Sequence, residues 1–128
     1  MILSLLLVAQ PVAAQPVSTC GEVVVHDGDT IRCDGRRVRI SNIDAPELAH
    51  SPRCDPRHLR AGKNPSWCDD ALGLHSRDAL QAFLRRGPVA LHPEGTDRYG
   101  RILARLTVNG HDAGAYLVSQ GLARTWIK

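Results

Sequence analysis

Two acidic residues and one arginine stand together where an apolar stretch of the chain turns. Asp44 and Glu47 flank Pro46, and Arg39 lies shortly before them. Pro46 has no backbone N–H to continue a sheet ladder, so both carboxylates are expected in one turn at the end of a strand. Carboxylates in such a place can bind a hard divalent cation and supply a base for a water molecule. A plain acidic turn beside a solvated arginine would have the same composition.

A β-meander is predicted to carry these residues. Residues 22–26 form a β-branched run, residues 26–29 have turn chemistry, and residues 30–33 resume the strand pattern. The pair Asp34-Gly35 then predicts a two-residue hairpin.

The register of this hairpin decides which side chains share a face. Thr30 falls opposite Arg39, and side-chain alternation puts Asp29 and Asp44 on one face of the ribbon. The same alternation puts Arg39 on the other face. A bulge or a sharp coil between residues 39 and 44 is needed to bring the arginine to the two aspartates.

Two helices and further strands are predicted after a long loop. Residues 48–68 are rich in Pro, Arg and small polar residues and are interpreted as an exposed loop. Asp69 or Asp70 is expected to cap the first helix, which Gly73 weakens and Gly87-Pro88 ends. The remaining elements are a short strand at 89–92, a turn-rich link at 93–100, an alternating strand at 101–108, a helix at 113–120 and a final strand at 122–127. This order is typical of an α+β, mainly β domain built as a small, partly open barrel.

The length of 128 residues suits one domain with its own core. Its apolar, uncharged opening is followed by small residues where a signal peptidase could cut. Residues 1–14 are therefore interpreted as an export signal and 15–19 as a short linker before a domain at 20–128. The basic n-region is missing, which would place the true start upstream, and the run is too short to span a bilayer. An N-terminal strand or a short membrane anchor is the alternative.

The four cysteines agree with export, because an even set in a small domain is typical of an oxidising compartment. Cys20 and Cys33 flank one hairpin, whereas Cys54 and Cys68 flank the long loop. Local pairing closes the shortest loops and favours Cys20–Cys33 and Cys54–Cys68, of which the second is expected only to tether the loop. The alternatives are buried free thiols and a zinc site that recruits His58 or His75.

The net charge of +3 comes almost entirely from arginine, because lysine appears only at Lys63 and Lys128. Arginine suits phosphate, since its planar fork donates bidentate hydrogen bonds. A modest basic excess is also an ordinary aid to solubility, so charge alone does not identify the partner.

Three motifs in a fixed order point to a family. They are Asp27-Gly28-Asp29-Thr30, the stretch from Arg39 to Glu47 that ends in Ile-Asp-Ala-Pro-Glu, and Asp97-Arg98-Tyr99-Gly100-Arg101. Together with Gln120-Gly121-Leu122-Ala123 they resemble a staphylococcal-nuclease-like (thermonuclease) domain over roughly residues 20–126. The resemblance implies a five-stranded OB-type β-barrel with packed helices, in agreement with the element order above.

The resemblance also implies Ca²⁺-dependent hydrolysis of DNA and RNA phosphodiesters. Asp29 and Asp44 would ligate calcium together with the backbone carbonyl of Ala45, and Glu47 would be the general base for the attacking water. The implied substrate contacts are those of Arg39 and Arg101 with the scissile phosphate and of Tyr99 with the nucleotide.

The chain departs from the family pattern around the substrate. The 48–68 loop is longer and brings two cysteines, and Ile127 and Lys128 stand where the family has an aromatic pair. The family's third, C-terminal helix is missing, so two packed helices are expected. Trp126 could partly replace the missing aromatics, but the favoured interpretation is a core or interface tryptophan.

The hypothesis that follows is a secreted or periplasmic, calcium-dependent endonuclease with little sequence preference. It is expected to act on DNA or RNA as a monomer, without stable membrane association once the signal is removed. An inactive nucleic-acid- or protein-binding module of the same fold is the first alternative, and a disulfide-stapled adhesion or inhibitor domain is the second. The retained acids and arginines favour the nuclease.

Overall fold

The computed structural model describes residues 15–128, so the predicted export signal at 1–14 lies outside the described residues. Within this part of the chain, no helix is both long and apolar enough to cross a membrane. Both predicted disulfides are present, Cys20–Cys33 and Cys54–Cys68, and the cysteine pairing is therefore confirmed.

A curled mixed sheet and two helices make up the domain. The strands are β1 (Ser18–Cys20), β2 (Val23–Asp27), β3 (Thr30–Cys33), β4 (Arg36–Ile40), β5 (Ile43–Asp44), β6 (Val89–Thr96), β7 (Ile102–Val108), β8 (His111–Asp112) and β9 (Arg124–Thr125). The helices are α1 (Asp70–Leu84) and α2 (Ala113–Ser119). The main sheet has the order β1-β6-β7-β4-β3-β2 with β8 paired to β7, while β5 and β9 form a separate ribbon. This half-barrel with two helices confirms the OB-type prediction, although the short strands β1 and β8 extend the expected five-stranded sheet.

The β3–β4 hairpin has the predicted register. Asp34 and Gly35 both have positive φ, 50° and 79°, as a tight two-residue turn requires. Thr30 lies opposite Arg39. On its other side β4 runs parallel to β7, with Arg39 beside Leu103, so Arg39 sits on a central strand of the sheet. A buried central strand is a rigid support for a functional side chain.

Strand β6 is longer than predicted. Residues 93–96 were expected to belong to a turn-rich link, but the strand continues from Val89 to Thr96 and pairs with β7 on both sides of Glu94. A register shift between Pro93 and Gly95 interrupts the ladder. A strand tolerates proline at a bulge, so Pro93 and Gly95, which were interpreted as turn residues, mark a bulge instead.

Helix α1 packs closely on the segment that carries the acidic residues. It begins at Asp70, capped by Asp69, whose side chain accepts a hydrogen bond from the Leu72 amide. A helix that starts only after Gly73 would also fit the weak first turn expected there, but α1 includes Gly73, and this glycine is where the helix approaches the site. A Cβ there would lie 3.0 Å from the carbonyl oxygen of Glu47, so a larger residue would push the helix away.

The core lies between the sheet and the helices. Its fully buried side chains include Ile31, Val38, Ile40, Leu80 and Leu106. Apolar burial of this kind is worth about 25 cal/mol per Å², which makes this layer the main source of stability. The candidate site lies where β4 leaves this core and the chain turns into β5.

Candidate active site

Arg39 contacts both Asp29 and Asp44, the two aspartates predicted to share one face of the ribbon. Its Nη2 atom lies 3.5 Å from Asp29 Oδ2 and 3.5 Å from Asp44 Oδ1, and all three side chains are buried. Strand alternation alone would have kept Arg39 apart from them. The chain turns at residues 41–42, and Arg39 Nη1 donates to the carbonyls of Ile40 and Ile43 across that turn at 2.6 and 2.8 Å. The sharp coil expected between residues 39 and 44 is thus confirmed.

Asp29 is held in place by the backbone of the neighbouring turn. Its Oδ2 accepts a hydrogen bond from the Ala45 amide at 2.8 Å, and its Oδ1 accepts one from the Thr30 hydroxyl at 3.1 Å. Ala45 itself is buried, at 2% exposure. Gly28, just before Asp29, has no room for a side chain, because a Cβ would lie 2.0 Å from Ser76 Oγ on α1. The Asp-Gly-Asp motif is therefore as much a packing requirement as a source of carboxylates.

Asp27 is a third buried acid beside Asp29. Its Oδ1 accepts a hydrogen bond from the Asp29 amide at 3.1 Å. Burial, and next to it the negative charge of Asp29, raise the pKa of Asp27 from 3.8 to about 7. The folded protein consequently holds this proton more tightly than the unfolded chain does.

This shift predicts a pH-dependent cost of ionising Asp27. Because its folded pKa is raised, the stabilising contribution is fully present below about pH 4 and is lost as the pH rises through about 7. In chelator at pH 8, Asp27→Asn should raise the free energy of unfolding by up to about 4 kcal/mol, since the pKa rises by roughly three units and each unit corresponds to about 1.4 kcal/mol. The gain should vanish near pH 4. Urea unfolding at both pH values measures it, and an equal gain at the two would contradict the assigned cause.

Glu47 lies one turn further along, at 4% exposure. Its Oε2 accepts a hydrogen bond from Ser51 Oγ at 3.0 Å, and its Oε1 lies 3.6 Å from Arg53 Nη1. A cleft of about 200 Å³ opens beside it, lined also by His26, Asp27 and His50. A buried carboxylate that faces a cleft is well placed to take a proton from a bound water.

The loop at residues 48–68 is part of the site. The Glu47 amide donates to the Trp67 carbonyl at 2.8 Å, and Glu47 and Cys68 form an isolated parallel bridge. The Cys54–Cys68 disulfide therefore closes the loop next to the acid. The expectation that this disulfide only tethers the loop stays a prediction, and its position next to Glu47 makes the loop backbone part of the site.

Asp44 is surrounded by arginines. Besides Arg39, Arg60 from the loop lies 3.2 Å from Oδ1, and Arg124 from β9 donates to Oδ2 from Nε and Nη2 at 3.0 and 2.6 Å. Asp44 and Arg124 are also direct partners in the β5–β9 ribbon. Trp126 stacks on this cluster, with Arg39 and Arg60 each 5.4 Å from its ring centroid.

Arg101 and Tyr99 form a separate group. Arg101 Nε donates to Asp97 Oδ2 at 2.7 Å, and the Arg101 guanidinium lies 5.7 Å from the Tyr99 ring centroid. The Arg101 amide and guanidinium hold the pKa of Asp97 below its usual value, although burial opposes this shift. Tyr99 is exposed, at 55%. The structure therefore brings together Arg39, Asp29 and Asp44. Arg101 lies just before β7, the neighbour of β4, and is paired with Asp97.

Sequence reasoning missed several residues of the site. They are Asp27, Ser51, Arg53, Arg60 and Arg124. Asp27 was visible, because it belongs to the quoted Asp-Gly-Asp motif. The others come from an aperiodic loop and from a two-residue strand, and no local pattern signals where such segments dock.

The comparisons with known proteins agree with this architecture. The chain belongs to the staphylococcal nuclease homologue family, which it matches over residues 37–128. It is 33% identical over 113 residues to the succinoglycan biosynthesis protein ExoI of Rhizobium meliloti. It is 34% identical over 113 residues to endonuclease YhcR of Bacillus subtilis, and 29% identical over 111 residues to an uncharacterized endonuclease of Haemophilus influenzae. These alignments cover 87%, 80% and 83% of this chain, but 53%, 8% and 51% of the three relatives.

Proposed function

We propose that this domain is a calcium-dependent nuclease that hydrolyses phosphodiester bonds of DNA or RNA with little sequence preference. The observation that carries the proposal is the convergence of buried Asp29 and Asp44 on Arg39. Glu47, three residues after Asp44, lines a cleft beside them. Membership of the nuclease family and two relatives named as endonucleases support it.

The donor set of the site suits a hard cation. Within the described residues, no group of three or more His, Cys, Asp or Glu side chains is arranged as a metal site. Asp29 Oδ2 and Asp44 Oδ1 nevertheless both lie 3.5 Å from one atom, Arg39 Nη2, so an ion between them would replace that contact. Calcium takes oxygen ligands that include backbone carbonyls and waters. These two carboxylates and the Ala45 carbonyl would hold the ion. Bound calcium would supply Lewis-acid stabilisation of charge on the phosphoryl oxygen.

The chain's own residues account for the other requirements of phosphodiester hydrolysis. Attack on the phosphodiester adds negative charge to an anion, and the Arg39 guanidinium would bind the phosphate where that charge develops. Glu47 would take the proton from the attacking water. Arg101 would bind the same phosphate once its side chain left Asp97 and turned to the substrate. Tyr99, exposed beside Arg101, would border the nucleotide.

Export is also part of the proposal. Two disulfides in a small domain are typical of a periplasmic or extracellular protein. We place the domain in such a compartment, acting as a monomer on nucleic acid that it meets there.

One observation favours a second candidate, a binding module of the same fold without activity. Asp44 already has three guanidiniums around it, and Glu47 has Ser51 and Arg53. Carboxylates engaged in this way could simply stabilise a nucleic-acid-binding surface.

Metal dependence separates the two candidates. We expect the domain to cleave plasmid DNA and single-stranded RNA in calcium and to lose cleavage in excess chelator. Without the cation, the carboxylates of Asp29 and Asp44 would face the phosphate directly and repel it. Gel electrophoresis of both substrates over time measures this, with Asp44→Ala as the matched inactive variant and Asp78→Ala, on the exposed side of α1, as the control. Full activity in chelator would remove calcium from the proposal, and binding without cleavage in calcium would favour the module.

A further inference from the structure

Arg60 is an additional cation that the long loop brings to the acidic centre. Three guanidiniums, from Arg39, Arg60 and Arg124, surround the single carboxylate of Asp44, which has more positive charge around it than it can balance alone. A buried or half-buried charge without a partner is costly, so such an excess favours an anionic ligand.

Of the three arginines, Arg60 has the most donor capacity left. Arg39 is tied to two backbone carbonyls, and Arg124 is tied to both Asp44 and the Pro65 carbonyl. Arg60 donates to Asp44 from Nη2, while its Nη1 makes no hydrogen bond among the described residues and its side chain is 33% exposed. A guanidinium nitrogen that is accessible and has no partner within the protein is free to donate to a ligand.

The loop holds Arg60 rigidly. The Arg60 amide donates to Ser66 Oγ at 2.6 Å, and the Ser66 amide donates back to the Arg60 carbonyl at 3.2 Å. Asn64 forms two hydrogen bonds with the backbone of Ile127, at 2.7 and 2.9 Å. With the Cys54–Cys68 disulfide, these contacts fix the loop on the C-terminal segment, so little ordering cost remains when Arg60 binds a ligand.

We propose that Arg60 binds a backbone phosphate of the substrate strand next to the scissile phosphate. The inference rests on the proposed nuclease function. Arg39 and Arg60 share Asp44 Oδ1 as an acceptor and both lie over the Trp126 ring, so they can serve neighbouring phosphates of one strand. The half-buried Trp126 adds an aromatic surface of the kind on which bases of single strands stack. The loop is thus a substrate-binding element.

Binding measured without cleavage tests Arg60 directly. The probe is a fluorescein-labelled single-stranded oligothymidylate, titrated by anisotropy in calcium with the cleavage-deficient Glu47→Gln protein. Adding Arg60→Gln should weaken binding about fivefold at 0.1 M salt and reduce the slope of log K against log salt by about 0.7, the loss of one phosphate contact. Arg57→Gln is the matched control, since Arg57 lies in the same loop, is 82% exposed and pairs with Asp55. An unchanged affinity and slope for Arg60→Gln would overturn the inference.

A scan of the substrate locates the contact, and its first step uses the protein with Arg60 intact. One phosphate at a time is replaced by a neutral methylphosphonate. In the protein that keeps Arg60, the replacement at one position beside the scissile phosphate should lower the affinity. That penalty should disappear in Arg60→Gln and return in part in Arg60→Lys. A scan without any such flanking position would refute the assignment. If the otherwise wild-type protein neither binds nor cleaves nucleic acid, the proposed function fails; if it cleaves but shows no Arg60 effect, only this inference fails.

Discussion

Glu47→Gln should lower the turnover number by about 10²–10⁴, the usual contribution of a positioned general base. Glutamine has nearly the same shape and can still accept the hydrogen bond from Ser51 Oγ, but it cannot take a proton from water. The fold should therefore persist while the chemical step is lost. Initial rates on a labelled oligonucleotide at saturating calcium give the turnover number, and thermal unfolding checks the fold.

The matched control for this change is Glu94→Gln. Glu94 lies on β6, paired with Arg105 at 3.2 Å on an exposed face, and is not part of the cleft beside Glu47. It should keep wild-type turnover. A Glu47→Gln enzyme with more than a tenth of wild-type turnover would show that another group activates the water, and the other buried acid lining the cleft, Asp27, would be the first to examine.

The fold was predictable where local pattern and tertiary structure agree. The Asp34-Gly35 turn sets its own register, because two residues with positive φ admit few alternatives. The helix caps Asp69 and Asp112 are likewise local signals. Prediction failed at Pro93, where pairing with β7 continues β6 past a bulge. The close approach of Gly73 to Glu47 could not be predicted either, because it depends on how α1 packs on the turn.

The candidate site divides along the same line. Asp29, Asp44 and Glu47 follow from motif and strand position, and the structure brings Asp29 and Asp44 to Arg39. What sequence could not supply is the set of cations around Asp44. Arg60 is 16 residues from Asp44 and Arg124 is 80 residues away, and their approach depends on how an aperiodic loop docks on a two-residue strand. Such long-range contacts leave no periodic trace in the chain.

Arg39→Lys should lower kcat/KM by about 10²–10³, the typical effect of removing one preorganised donor from a developing charge. The guanidinium performs two tasks at once. Nη1 holds the turn through the carbonyls of Ile40 and Ile43, while Nη2 faces Asp29 and Asp44. An ammonium is a single point donor and cannot keep both sets of contacts, so either the turn or the phosphate contact is lost.

The two outcomes can be told apart in one variant series. Losing the turn would lower the free energy of unfolding by about 1–3 kcal/mol, the cost of unsatisfied buried carbonyls, whereas losing the phosphate contact would leave stability unchanged. Arg36→Lys, at the exposed start of the same strand, should change neither quantity. If the phosphate contact forms mainly in the transition state, kcat should fall more than KM rises. Near wild-type kcat/KM in Arg39→Lys would mean that Arg39 is a structural clasp for the turn and that another cation, with Arg60 or Arg101 to be tested first, binds the scissile phosphate.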